Sequence, residues 1–429
     1  MDILSTFAVL TAIIIIGYFS ELLFKKTRIP DVLILILVGV FLRYGVGWAN
    51  PDSLGEGTQL FTTFTLIFLL FQGSLAIDFK TLFKSVKGAS VLTIFSFFLT
   101  VAIVMLLSML LFQMNFITAL LLGMILGGTS SAVVIPMVKS LPLGKDIKSL
   151  LTLESAISDV LCIIGSLTII NIILTGQVSG VGVANNILSS FALALVFGAI
   201  VGLIWVHLLD KFDDLKQAYM VTVAVVIGLY ALIESPLIAA SGAIGALAFG
   251  LVLGNSRAIL RLFHSNDKKK SEEESLTISA VLNKSAQNFF QEISFFVKVF
   301  FFVYLGILMD FSSVTIYLLS FLIVVGIYLI RPLAVKLSLG RHNLGNLDRT
   351  SLEVLIPKGL AAAVLVQLAI QSGVPGADLM TAPVLAVVFL SILLTSILVI
   401  LNGKGLFNGV WNLFSKHFED SRLNSKLKR

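Results

Sequence analysis

Two neighbouring stretches decide the fold: LGGTSSAVVIP at residues 126–136 and LTLESAISDVL at residues 151–161. Both are apolar, yet the first contains the pair Gly127–Gly128 and the second contains Glu154 and Asp159. A lone carboxylate inside a bilayer costs about 2.5–3.5 kcal/mol even on lenient insertion scales. If these stretches cross a membrane, each acid therefore needs a partner or a function.

The composition of the chain indicates a membrane protein. Of the 429 residues, 57% are hydrophobic and 13% are charged, whereas soluble domains average about 25% charged residues. The mean hydropathy is +1.03. The single cysteine, Cys162, excludes internal disulfides and Cys-based metal clusters, and we expect it to be a small apolar filler. We therefore predict a multi-pass protein of the cell (plasma) membrane.

Thirteen apolar stretches are long enough to cross a bilayer as helices, which takes about 20 residues each. They lie at about residues 5–24, 30–47, 58–77, 88–113, 115–138, 149–174, 183–209, 217–234, 237–255, 289–309, 312–339, 350–373 and 376–402. The sequence thus predicts an all-α polytopic fold of about thirteen transmembrane helices.

The basic residues predict the orientation, because Lys and Arg collect in cytoplasmic loops. FKKTR, KSLPLGKDIK and RAILRLFHSNDKKK fall on alternate connections. On the opposite side, NPDSLGEG and TGQVSGVGVANN contain neither Lys nor Arg. We therefore expect the N-terminus outside and the C-terminus inside.

A weak internal repeat relates the two halves of the chain. LLFQGSLAIDF (69–79) recurs as FVYLGILMDF (302–311), and GGTSSAVV (127–134) has a fainter counterpart in KGLAAAVL (358–365). Both pairs are offset by about 232 residues, which covers seven predicted helices. Because seven is odd, the second copy is inverted in the membrane.

The repeat and the charge pattern suggest a division of the chain into four parts. These are a first membrane half at 1–255, a cytoplasmic linker at 256–288, a second membrane half at 289–402 and a cytoplasmic tail at 403–429. The first half contains the first inverted repeat, at about 1–174, followed by linking helices, and the second half contains the end of the second repeat. The mixed charge run KKKSEEES indicates that the linker is solvated.

Inverted repeats are typical of secondary transporters, whose sites lie near the midplane on interrupted helices. The interruptions are predicted at 126–136 and at IPKGLAAA (356–363), where Gly127–Gly128, Pro357 and Gly359 would free backbone groups. Such groups are tolerated at that depth only where they line a site or are buried in protein.

The polar residues fall into two layers when depth is estimated from the inner end of each span. At about 1.5 Å per residue, Asp159 lies about 15 Å deep and Thr129 about 14 Å, near the middle of a core about 30 Å thick. Glu154 lies at about 8 Å, and Arg331 and Lys358 at about 12 Å. Five residues on a helix also separate the two acids by about 140° around its axis, so we do not expect them to share a ligand.

These positions predict different roles for the two acids. Asp159 is the predicted working acid, and Ser155, four residues earlier, lies on its face of the helix. Glu154 is predicted to be structural and paired with Arg331. Lys358 either compensates a helix dipole or replaces Arg331 as the partner of Glu154, and the sequence does not rank these two roles.

Other polar residues have less specific interpretations. Thr129, Ser130 and Ser131 could line the site or could simply be small residues that let helices pack tightly. Lys298 is expected to anchor its span at the inner interface.

With these motifs assembled, the chain resembles the monovalent cation/proton antiporter superfamily, in its single-aspartate form. The resemblance covers nearly the whole chain and rests on five motifs in family order: GGTSSAVVIP, LTLESAISDVL, FFVYLGILMDF, IYLIRPLAVKLS and IPKGLAAAVL. It implies a dimerisation domain, and hence a homodimer, and a mobile core domain with two crossed, broken helices.

The resemblance also implies residue roles. The acid matching Asp159 binds a cation or a proton, Thr129 and Ser155 help to ligate the ion, and the positions of Glu154 and Arg331 match a structural ion pair. Ser158 and Ser130 complete our candidate set for binding the cation or proton, whereas Lys358 is a candidate for dipole compensation.

Two departures from the family pattern leave the ion open. Electroneutral sodium-type members usually carry Asn at the position of Ser158, and many carry Asp at the position of Ser130. Electrogenic members have a second Asp at position 158 and Lys at position 331, which this chain lacks. The serine-rich TSSAVV is more similar to the potassium-efflux branch.

We therefore predict a secondary active transporter that exchanges a monovalent cation for H⁺, with Na⁺ as the leading candidate. The exchange would be electroneutral, one for one, by alternating access with competition at Asp159. Oxygen ligands from Asp159, Thr129 and Ser155 suit an alkali cation. A K⁺/H⁺ antiporter is the first alternative, followed by a sodium-coupled organic-solute carrier or an ion channel.

The partners expected from this interpretation are the transported ion (Na⁺, K⁺ or Li⁺), the proton, the lipid bilayer and a second copy of the chain, without nucleic acid and without a resident cofactor. An enzyme is not expected, because the four histidines lie at span ends or in loops without metal-ligand spacing.

Overall fold

A computed structural model describes residues 3–27, 29–48, 57–75, 79–176, 180–211, 218–238, 240–256, 284–339 and 345–403. Of the predicted linker at 256–288 only residues 256 and 284–288 lie within these ranges, and of the predicted tail at 403–429 only residue 403 does.

The described residues form fifteen α-helices, and none of them lies in a strand. The helices are α1 (Ile3–Thr27), α2 (Asp31–Val40), α3 (Gly57–Leu75), α4 (Phe79–Leu111), α5 (Phe116–Leu126), α6 (Ser131–Ser140), α7 (Lys145–Thr175), α8 (Gly180–Lys211), α9 (Ala218–Glu234), α10 (Gly242–Gly254), α11 (Lys284–Leu308), α12 (Val314–Leu339), α13 (Asn346–Val354), α14 (Leu360–Gln371) and α15 (Ala377–Gly403). A π-helical turn, Phe41–Gly45, continues α2. Each of the thirteen predicted stretches thus contains one helix or two half-helices.

Eight helical segments of the described chain are long and apolar enough to cross a membrane, and the chain is a multi-pass membrane protein. Four further apolar helices are shorter: Leu60–Leu75, Ala218–Glu234, Gly242–Gly254 and Leu360–Gln371. The total of thirteen crossings and the sides on which the termini lie therefore stay predictions.

The helices pack as two groups that follow the internal repeat. The core bundle consists of α4–α7 and α12–α15, and the scaffold bundle consists of α1–α3 and α8–α11. Within the core bundle, α4 packs on α7 as α12 packs on α15, and α4 and α12 pack on each other. Within the scaffold bundle, α2 packs on α11 as α10 packs on α3. These contacts thus occur as matching pairs in the two halves of the chain.

Two helices of the core bundle are interrupted at the predicted places. Residues 127–130 separate α5 from α6, and residues 355–359 separate α13 from α14. Glycine permits the close approach at each break: a Cβ on Gly128 would lie 2.7 Å from Cys162 Sγ on α7, and one on Gly359 would overlap the Ser130 side chain. The amide of Ser130 donates to Pro357 O at 2.8 Å, so the two breaks meet in the middle of the core bundle.

Candidate functional site

Asp159 on α7 faces the beginning of the half-helix α6. Its Oδ2 accepts a hydrogen bond from the Ser131 hydroxyl at 2.6 Å and from the Ser131 amide at 3.3 Å. Ser131 is the first residue of α6, where backbone N–H groups have no partner within the helix and the helix dipole favours negative charge. This helix end therefore stabilises a carboxylate that no described cation approaches within salt-bridge distance.

The first break is held against α7 by two side chains that accept hydrogen bonds. The amide of Thr129 donates to Ser158 Oγ at 3.0 Å, and the hydroxyls of these two residues lie 3.2 Å apart. The amide of Gly128 donates to Cys162 Sγ at 2.9 Å. Cys162, expected to be a mere filler, thus satisfies a backbone group freed by the break.

The predicted cation ligands Thr129, Ser130, Ser155 and Ser158 are gathered around this break, although the described hydrogen bonds of Asp159 come from Ser131 and from none of these four. The Thr129 hydroxyl pairs with Ser158, and the buried Ser155 hydroxyl donates to Thr152 O at 3.0 Å. Ser130 is buried, and its carbonyl accepts the amide of Val134 at 2.8 Å in the first turn of α6.

Ser131 is the residue that sequence reasoning left out of the ligand set. Its place within the first turn after the glycine pair was the available signal. Because the first N–H groups of a helix are free to donate, a residue there can offer both its hydroxyl and its amide to the same carboxylate.

Glu154, the other acid of α7, forms an ion pair with Arg331 of α12. Both of its carboxylate oxygens accept from the guanidinium, Oε2 at 2.8 Å from Nη2. The Arg331 side chain also donates to Ser96 Oγ of α4 and, through Nε at 2.8 Å, to Leu352 O of α13. Both charged side chains are 2% exposed, so this buried cluster joins four helices.

Lys358 lies in the second break and reaches into the first. Its Nζ donates to Gly128 O at 2.8 Å, just beyond the C-terminal end of α5, and its backbone amide donates to Ser391 Oγ at 2.9 Å. A cation at a helix C-terminus opposes the partial negative charge there. Of the two roles that the sequence left open, the geometry thus favours dipole compensation, since Arg331 already pairs with Glu154.

A second ion pair, absent from the sequence-based expectations, joins α2 to α11 in the scaffold bundle. Lys298 donates to Asp31 Oδ2, with side-chain exposures of 19% and 8%. Lys298 thus links α11 to α2, and its anchoring of the span at the inner interface stays a prediction. Arg43, in the π-helical turn, donates to the carbonyls of Ile307 and Met309 at 2.9 and 2.8 Å. It thus links the C-terminal end of α2 to that of α11, and we call this α2–α11 contact the seam.

The chain is similar to several sodium/proton antiporters. It is 24% identical over 250 residues to "Na(+)/H(+) antiporter NhaS2" of Synechocystis sp., a match that covers 57% of this chain and 44% of that one. It is 26% identical over 359 residues to "Probable Na(+)/H(+) antiporter 2" of Methanocaldococcus jannaschii, with coverage of 80% and 79%. The chain therefore spans less than half of the cyanobacterial relative and about four fifths of the archaeal one.

The fold is also similar to a solved structure, that of the sodium proton antiporter MjNhaP1 from Methanocaldococcus jannaschii at pH 8. The TM-score is 0.74 at 20% sequence identity, and the match covers 92% of this chain and 100% of that one. At this identity the likeness shows the fold alone. The model of the family described as "Sodium/hydrogen exchanger, transmembrane" matches residues 9–401, and the chain belongs to that family of transporters.

Proposed function

We propose that the protein exchanges a monovalent cation, with Na⁺ as the leading candidate, for H⁺ across the membrane. The observation that carries the proposal is the different environment of the two acids on α7. Glu154 is neutralised by Arg331, whereas Asp159 faces a helix break with hydroxyl and amide donors and no described ion-pair partner. A half-buried acid of this kind can be neutralised by a proton or by a cation.

Competition for Asp159 would couple the two flows. Burial disfavours the charged carboxylate, so the site favours a bound proton or a bound cation over an empty anion. Moving a bare charge through apolar surroundings is costly, and the core bundle would therefore cross between its two orientations only with Asp159 occupied. Since one carboxylate takes either one proton or one monovalent cation, each cycle would move no net charge.

The ligands that we propose for the cation are oxygen atoms around the first break. Asp159 supplies the charge, and Thr129, Ser155, Ser158 and Ser130 supply hydroxyl or carbonyl oxygens, the hard ligands that suit an alkali cation. Ser131 already donates to Asp159 and extends this set. Rotation of the Thr129 and Ser158 hydroxyls, which now bond each other, would turn their oxygens towards a bound ion.

The two bundles suggest how the site could be exposed to each side in turn. The described contacts between the two bundles include α3 with α14, α2 with α15 and α7 with α8, whereas the most extensive packing, such as that of α4 on α12 and of α8 on α10, lies within a bundle. We propose that the core bundle moves against the scaffold bundle, that the scaffold bundle mediates a homodimer, and that the protein works in the cell membrane.

Proton release from the purified protein tests this proposal. Na⁺, K⁺ and Li⁺ are added separately to protein in weakly buffered detergent solution, and the change in pH is recorded. We expect release with Na⁺ that saturates and that is lost in Asp159→Asn. Undiminished release from Asp159→Asn would refute the shared site.

The same experiment decides between sodium and potassium. The serine-rich TSSAVV segment favours K⁺ as the second candidate, because Ser130 stands where many sodium-type members of the resembled family carry Asp. Ser158 on α7 likewise stands where they usually carry Asn. Release with K⁺ alone would identify a K⁺/H⁺ antiporter that uses the same carboxylate. Exchange in vesicles that depends on an organic acid would instead indicate a solute carrier.

A further inference from the structure

The second break repeats the arrangement of the first, with one addition. In the first half, Ser158 Oγ accepts the amide of Thr129, and Cys162, four residues further along α7, accepts the amide of Gly128. In the second half, Ser391 on α15 accepts the amide of Lys358. Thr395, four residues after Ser391, contacts a side chain instead of a break amide.

That side chain is Tyr328 of α12. Its hydroxyl lies 2.6 Å from Thr395 Oγ1 and 3.4 Å from the carbonyl oxygens of both Val354 and Ser391. Thr395 is 0% exposed and Ser391 is 1% exposed, so the hydroxyl reaches into a buried polar cluster. Val354 is the last residue of α13, and its carbonyl is one of those that a helix end leaves without an internal partner.

The hydroxyl therefore contacts the second break directly at the end of α13 and indirectly through Ser391 of α15. It touches the end of α13 at Val354, and it touches Ser391, the residue whose Oγ holds the amide of Lys358. Arg331, one turn further along α12, holds Leu352 O of the same half-helix. Lys358 in turn reaches Gly128 O in the first break, next to the proposed ligands.

We propose that Tyr328 is a positioning residue for cation exchange: its hydroxyl fixes the second break so that Lys358 remains on Gly128 and the first break keeps its binding geometry. The inference rests on the proposed function, since it assigns Tyr328 to the same site. Tyr328 touches neither Asp159 nor a proposed ligand and acts through Ser391 and Lys358.

The test compares Tyr328→Phe with a matched control on the same helix. Phenylalanine keeps the ring and removes only the hydroxyl. Tyr317→Phe makes the same change at a ring that stacks on Phe311, with 5.0 Å between the ring centroids. It is a suitable control because no described hydrogen bond involves the Tyr317 hydroxyl. Both variants are measured by cation-induced proton release and by thermal unfolding.

We expect Tyr328→Phe to weaken apparent cation affinity about three- to tenfold, the range expected for the loss of one or two hydrogen bonds, while Tyr317→Phe leaves it unchanged. The pH profile of cation-induced release should also be displaced from that of the unmodified protein in Tyr328→Phe, but not in Tyr317→Phe. A purely structural hydrogen bond would lower the unfolding temperature without changing affinity or the pH profile, and that result would overturn the inference.

Thr395 gives an independent route should Tyr328→Phe fail to fold. Thr395→Val removes the partner hydroxyl at nearly constant volume and should weaken affinity in the same direction, whereas Thr395→Ser should retain it. The double variant Tyr328→Phe/Thr395→Val should be no weaker than Tyr328→Phe alone, because the bond between the two hydroxyls is already lost in that single variant. Effects that add would contradict the proposal.

The Asp159→Asn variant separates the two possible failures. If it abolishes release while Tyr328→Phe and Thr395→Val bind the cation like the unmodified protein, only the present inference falls. If Asp159→Asn releases protons normally, or if the unmodified protein releases none with Na⁺, K⁺ or Li⁺, the proposed function falls and the role of Tyr328 falls with it.

Discussion

Replacing Glu154 with alanine tests the division of roles between the two acids of α7. Glu154 supplies two of the four acceptors around the Arg331 guanidinium, and the other two are Ser96 Oγ and Leu352 O. The substitution therefore leaves a buried cation, 2% exposed, with neutral acceptors only. Breaking a buried pair by removing one partner costs about 3–5 kcal/mol, because an uncompensated charge stays in the interior.

Two control variants test whether the loss of stability in Glu154→Ala comes from the unpaired charge of Arg331. Ser96→Ala removes one hydrogen bond to the guanidinium and should cost less, about 1.5–3 kcal/mol. Glu154→Ala/Arg331→Met removes both charges, and we expect it to be more stable than Glu154→Ala alone, since replacing a buried pair with apolar groups is often close to neutral.

The assay combines thermal unfolding in detergent with cation-induced proton release. We expect Glu154→Ala to unfold at a clearly lower temperature, while its apparent cation affinity changes by less than about threefold, which corresponds to less than 1 kcal/mol. A variant that keeps full thermal stability but loses cation affinity would show that the two roles are reversed.

Three further outcomes follow from the proposed function and the structure. The exchange rate in proteoliposomes should not respond to an imposed membrane potential, and strong voltage dependence would overturn the proposed electroneutral stoichiometry. Under the proposed competition of the proton for Asp159, the apparent cation KM should rise about tenfold per pH unit on the acid side at constant maximal rate, and a change in maximal rate alone would contradict competition. Asp31→Asn should lower thermal stability because it removes the carboxylate charge that pairs with Lys298, and the exchanged pair Asp31→Lys/Lys298→Asp should recover part of the loss. Asp310→Asn should have a smaller effect, because the exposed Asp310 carboxylate accepts hydrogen bonds from Ser312 and forms no described salt bridge. An exchanged pair with no recovery would show that packing, not charge, sets the stability of this seam.

Most of the fold could be predicted from the sequence because membrane crossing imposes length and hydropathy on each segment. Gly127–Gly128 and Pro357/Gly359 also located the two breaks, since glycine and proline release backbone groups that a membrane interior tolerates only inside protein. The sequence could not predict the length of each helix. The stretch predicted at 237–255, for example, forms the shorter helix Gly242–Gly254, because a turn precedes it in which the Gly242 amide donates to the Glu234 side chain.

The candidate site was predicted less completely than the fold, for a geometric reason. Depth and helical rotation located Asp159 and Glu154 because both quantities follow from counting along one helix. The ion pair between Asp31 and Lys298 depends on the packing of two helices far apart in the chain, and counting along either helix does not reveal it. The contact of Ser131 with Asp159 depends on where α6 begins, within a residue or two, which a sequence pattern does not resolve.

The inverted repeat also explains why a single carboxylate suits an exchange of one ion for one proton. Ser158 and Ser391 perform the same task, because each accepts an amide from the neighbouring break. The residue that follows Ser158 is Asp159, whereas the residue that follows Ser391 is Ile392, which is 0% exposed. The two halves therefore share the framework of the site, and only the first carries an acid. A second acid at the position of Ile392 would also need neutralising before the core bundle could move, and two protons or cations instead of one would then have to bind before each crossing.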